Sequence, residues 1–130
     1  MGTQQLLLIV VGTVLIGIMI AVGLFMFRDQ SANTNRDSIS NDLVHCASKA
    51  QLYKRKPQAQ GGGGGSFVGF RLETVFADLR NANATYSLGT VSQDVMSIIG
   101  VGNEIGYDNA TRVKVVIDVT ADSTSVNEVN

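Results

Sequence analysis

Tryptophan is absent from this chain, and proline, cysteine and histidine occur once each, as Pro57, Cys46 and His45. A single cysteine closes no intrachain disulfide, so stability has to come from packing or assembly. His45 and Cys46 are adjacent, and neighbours on a helix point about 100° apart, so they form neither a nucleophile–base pair nor half a zinc site. Cys46 reads as a small buried apolar residue, with His45 at the rim of the same face. An excess of one charge is also missing. Ten Lys and Arg face eleven Asp and Glu, a net charge of -1 that implies neither nucleic acid nor an acidic partner. No constellation of acid, base, nucleophile or metal ligand can be assembled, so an enzyme is the weakest reading and no cofactor is expected.

The most informative absence is local: no charged residue falls between Leu6 and Phe27, the stretch LLLIVVGTVLIGIMIAVGLFMF. As a helix it would run for roughly 33 Å, close to the hydrocarbon thickness of a bilayer, so it can span a membrane. A cleavable secretory signal has a basic start, an apolar run of about 7–15 residues and a small-residue cleavage site. This run is longer, and nothing basic precedes it. Its flank gives little orientation, because the first cation, Arg28, is followed by Asp29.

From Arg28 to Lys56 there is neither Pro nor Gly, and Ile39, Leu43, Cys46, Ala50 and Tyr53 recur at steps of four, three, four and three. That spacing marks one helical face. The expectation is a continuous helix over 1–56, stopped by Pro57, with 1–27 as a membrane or filament-core segment and 28–56 as an amphipathic half. Residues 57–65 form a Pro/Gly-rich joint. The run GGGGGS occurs once and does not repeat as engineered linkers do, and it lacks the G-x-x-x-x-G-K-[ST] pattern of a phosphate loop. Its expected use is steric, letting backbone pass where a Cβ would clash; the plainer alternative is a solvated hinge.

Residues 66–130 read as a β-rich head. SFVGFRL is strand-like, LETVFADLRNA (72–82) reads either as a short helix or, in a compact β head, as only a turn, and Thr85–Val91 with Asp94–Gly102 form a hairpin about Ser92 and Gln93. TRVKVVIDVT (111–120) is the clearest strand, with Val113, Val115, Ile117 and Val119 on one face. A head of this size buries a marginal core alone, so its sheet is expected to pack on the face Ile39, Leu43, Cys46, Ala50 and Tyr53. The fold class is α+β: a long N-terminal helix with a small antiparallel sheet head.

The opening MGTQQLLLIVVGTVLIGIMIAVGLFMF, then an amphipathic helix, a glycine-rich loop and a β-rich region, resembles the type IV pilin family and its pseudopilin relatives. The resemblance is specific in architecture over the first 56 residues and generic beyond them. It implies processing by a prepilin peptidase after a glycine, methylation of the new N-terminus, and residence in the inner membrane before an assembly machinery builds a homopolymer at the cell surface. Its implied assembly residues are Met1, Gln5, Leu6, Val10, Val14, Gly17, Ile20, Leu24 and Phe27. With Met1 as the mature first residue, Gln5 stands where the family has a glutamate that pairs with a neighbour's terminal amine. A neutral amide there makes a weaker hydrogen bond than a charged carboxylate. Cleavage between Gly2 and Thr3 would put Leu7 there instead; the first register is preferred because nothing basic precedes the apolar run.

Other features carry less. Gly12, Gly17 and Gly23 suit close helix approach. Lys54, Arg55 and Lys56 meet the negative end of the helix dipole. Asp94, Glu104, Asp108, Asp118 and Asp122 match no EF-hand spacing, and only the resemblance keeps calcium in view. Asn83 and Asn109 head N-x-T triplets and are candidate glycosylation sites, as are hydroxyls of the Ser/Thr-rich tail. Two functions compete: a filament subunit, of a pilus or a secretion pseudopilus, and a single-pass anchored binding module. Stretch 28–56 separates them, since a plain anchor needs no long helix outside the membrane.

Overall fold

The computed structural model describes residues 2–130. One helix, α1 (Gly2–Arg55), is followed by four strands, β1 (Ala84–Val91), β2 (Met96–Ile105), β3 (Arg112–Val119) and β4 (Thr124–Glu128). The strands form one antiparallel sheet in the order β1-β2-β3-β4. This is the α+β, pilin-like layout expected from the sequence. Packing divides the chain into one unit that ends at Ser31 and a second, Ala32–Asn130.

In the first unit α1 holds together without tertiary support. Its most apolar 18-residue window has a mean hydropathy of 2.9 with none of it buried, and the helix is long and apolar enough to cross a membrane. Thr13, the one hydroxyl inside the apolar run, donates to the Ile9 carbonyl at 2.7 Å, so its polar group is met within the helix.

In the second unit the remainder of α1 buries a stripe made by Ala32, Arg36, Ile39, Leu43, Cys46, Ala47, Ala50 and Lys54. The steps of three and four keep these residues on one side, and β2 and β3 supply the opposing surface. Met96 and Ile98 of β2 and Val113, Val115, Ile117 and Val119 of β3 are all fully buried. The alternation in β3 has the physical cause expected of a half-buried strand, one face on the core and the other carrying Lys114 and Asp118. Where the helix comes nearest, β2 carries Gly100: a Cβ there would lie 2.6 Å from Ile39 Cγ2.

The structure departs from the sequence reading at three places and decides between two readings at a fourth. SFVGFRL is a loop, because Gly69 turns the chain at φ 90 and Phe70 N–H bonds back to Phe67 O; the apolar residues Phe67, Phe70 and Leu72 plug the core from it. LETVFADLRNA takes the second of its two readings, a 3-10 turn at Leu72–Thr74, before irregular chain. The Ser/Thr-rich tail contains β4, which pairs with β3 from Val119↔Thr124 to Val115↔Glu128. Every β4 residue is exposed, so it has no apolar alternation from which to be read. The first hairpin is wider than two residues: Ser92 N–H bonds to Val95 O, and β2 starts at Met96 and runs on to Ile105.

Candidate assembly surface and the helix-end cleft

The residues that the resemblance assigned to assembly fall on an uncovered helix. Gln5, Leu6, Val10, Val14, Gly17, Ile20, Leu24 and Phe27 are all exposed; Met1 lies outside the described residues. Leu6 is 65% and Phe27 70% exposed, and apolar side chains between them are bare on every side. A helix apolar all round is at rest only in lipid or among other helices, since water gains nothing from it. Chemically this surface can do one thing, which is to bury itself.

The head-packing residues lie elsewhere on α1. Ile39, Leu43, Cys46 and Ala50 are fully buried. Tyr53 is partly covered, its ring edge-on to Phe70 at 5.5 Å and its hydroxyl donating to Val68 O at 3.2 Å. Burial pushes the Cys46 thiol up to about 12, so it stays protonated and unreactive. His45 is exposed beside it. Polar anchors add direction. Asp42 accepts from the Tyr86 hydroxyl, from Asn81 at 3.0 Å and from Asn83 at 3.4 Å, fixing α1 to the start of β1. Burial, and then the Asp42 carboxylate, drive the Tyr86 hydroxyl well above its ordinary pKa. Buried Arg36 stacks over the Tyr107 ring at 3.6 Å, donates from Nη1 to Asn33 Oδ1, and donates from Nε to the Asn130 carbonyl at 3.0 Å. Tyr107 also donates to Asn33 Oδ1, so the β2–β3 turn is tied to residues 33–36 of α1.

At the other end of the amphipathic half, the glycine run folds back over the helix terminus. An α-helix leaves its last carbonyls without intrahelical donors. Here Gly63 N–H donates to Tyr53 O at 2.8 Å, Gly65 N–H to Lys54 O at 2.7 Å and Gly64 N–H to Lys56 O at 3.0 Å. A Cβ on Gly63 would lie 1.8 Å from Ser66 O, and Gly65 sits at φ 94, where other residues are strained. The run is therefore an extended C-cap, and no sequence signal beyond the glycines themselves announced it. Lys54 lies under it, mostly buried, 3.4 Å from Asp94 and over the Phe67 ring at 4.8 Å.

Between the last turns of α1, Gly61 and residues 69–75 lies an open cleft of about 440 Å³. Leu52, Tyr53, Phe70 and Val75 give it an apolar floor, and Lys49, Lys56 and Arg71 line it with positive charge. Sequence reasoning missed it because Arg71 is distant in the chain, and a lysine pair two turns apart reads as an ordinary solvated face.

The acidic residues considered for calcium are separated. Asp94 meets Lys54, Asp118 accepts from Ser97 and Asn127, and Asp108 is occupied by its own turn. Among the described residues no three His, Cys, Asp or Glu side chains converge. Of the two N-x-T asparagines, Asn83 is half-buried against Asp42, whereas Asn109 is exposed in the β2–β3 turn at φ 56. No family model, curated protein or solved structure matches this chain.

Proposed function

We propose that this chain is a structural subunit that polymerises through its apolar helix into an extracellular type IV pilus-like filament, without catalytic activity. The observation that supports this most is the form of α1: a 54-residue helix whose first half is apolar and wholly uncovered and whose second half is clothed by a sheet. In this reading the uncovered half sits in the inner membrane first. It then exchanges lipid for the same helices of other copies, so that one surface is used in both states. Prepilin peptidase, N-terminal methylation and an assembly machinery belong to the same proposal, with Gln5 replacing the family's charged pairing by a neutral one.

The test is electron microscopy of material sheared from cells that express the chain. Uniform thin fibres that yield this sequence's peptides and have a core of parallel helices are the expected result. A protein found only as a monomer in the membrane fraction would sink the proposal and favour an anchored binding module, whose ligand would be sought at the helix-end cleft.

A further inference from the structure

Two patches at opposite ends of the second unit are complementary. At one end is the cleft just described, where Lys49, Leu52 and Lys56 fall at steps of three and four on one helical stripe. Leu52 is 59% exposed between two lysines, neither of which makes an ion pair or a side-chain hydrogen bond among the described residues. Arg71 is held by Glu73 at 3.8 Å, so the cleft keeps a surplus of two positive charges. At the other end is the β2–β3 turn with the end of β2 that leads into it, where Glu104 and Ile105 of the strand and Asp108 of the turn are exposed, Ile105 at 46%. Backbone N–H groups of Ala110 and Thr111 and the Thr111 hydroxyl hold the Asp108 carboxyl well below the usual carboxylate range, so it stays charged. Two cations stand beside the turn, Arg112, opposite Ile105 in the ladder, and Arg36 against the Tyr107 ring; Arg36 is buried, so the exposed rim carries Glu104 and Asp108 against Arg112 alone. The turn is fixed to residues 33–36 of α1 and the cleft to 49–56, so along the helix they are roughly 24 Å apart.

We propose that the cleft receives the β2–β3 turn of a second copy, with Ile105 set against Leu52 and Glu104 meeting Lys49 and Lys56. This rests on the filament reading and adds the contact between heads. Because the two surfaces differ and lie at opposite ends, the contact is heterologous and propagates from copy to copy instead of closing a dimer. It also assigns the exposed leucine and the unpaired lysines a common partner, with an apolar centre inside a charged rim.

The experiment uses full-length chain, an equal mixture of unlabelled and nitrogen-15-labelled copies, as detergent is withdrawn. A carbodiimide, which joins amines directly to carboxylates, traps adjacent pairs, and mass spectrometry of mixed-label peptides reads contacts between copies. The expected product joins Lys49 or Lys56 to Glu104. Lys49→Glu with Lys56→Glu, or Glu104→Lys alone, should each lower the yield of joined copies at least tenfold. Mixing the two variants should restore it, because each then offers the other an opposite charge; a merely misfolded variant would not be rescued. Joined copies whose links all lie elsewhere would overturn this contact and leave the filament reading standing. A chain that never yields joined copies, in agreement with an absence of fibres by microscopy, overturns both.

Discussion

A Cβ on Gly63 would have to occupy space held by the Ser66 carbonyl and by the Tyr53 ring, 2.9 Å away, while its own N–H is committed to Tyr53 O. Gly63→Ala should therefore lower stability by about 1–3 kcal/mol, the usual cost of overpacking, and the thermal midpoint of the full chain in detergent should fall by several degrees. An unchanged midpoint would mean the cap is not built as described. Cys46 gives a pH test. Its thiol is raised from 9.0 to about 12 by burial, so the stability it contributes is complete below pH 9 and is lost as pH rises towards 12. Labelling by a thiol reagent should be slow at neutral pH and speed up only with alkaline unfolding; rapid labelling of folded chain at pH 8 would contradict the burial. Cys46 was legible from its place on the 39–53 stripe. That Gly63 has no room for a Cβ was legible too, as the steric use read from the run; which carbonyls the run would meet was not, because a homopolymer has no pattern from which acceptors could be inferred.

At the scale of elements, α1 is decided by composition in one half and by periodicity in the other, and both signals were readable. A lysine at the middle of the apolar half tests the first. Val14→Lys should cost about 2.5–3.5 kcal/mol on membrane-insertion scales, leaving the chain poorly retained in membranes and unable to form fibres. Retention equal to that of the unaltered chain, measured by carbonate extraction, would show that this half does not sit in lipid. The strands were legible in proportion to how unequal their faces are. β3, with four fully buried residues on one side, was clear; β4 was invisible, because an exposed edge strand is held by backbone bonds to β3 and its side chains report nothing. Residues 66–72 misled for the opposite reason: their apolar side chains fill the core from a loop, so hydrophobicity was real and the strand was not.

At the scale of the whole molecule, apolar surface is distributed in two opposite ways, inward in the second unit and outward in the first, and that contrast is the basis for reading the chain as an assembling subunit. The uncovered apolar surface of α1 could be read from sequence; the helix-end cleft, which draws Lys49 and Arg71 together from separate segments, could not. Gln5 supplies a prediction for the assembly as such. A neutral amide does not titrate, so Gln5→Glu should add an acid-sensitive step, visible as an extra fall in assembly rate between pH 5 and pH 3 relative to the unaltered chain, as the added carboxylate is protonated. Identical pH profiles for the two would remove position 5 from the assembly contact. The cap at the end of α1 bears on how this chain can vary over generations. Runs of one codon gain and lose units readily when copied, and most loops absorb such changes. Here three successive amides each have an assigned carbonyl, so a sixth glycine or a missing one would put the whole set out of step. Descendants of this gene should therefore hold the run at five, or change its length only together with the helix end beneath it.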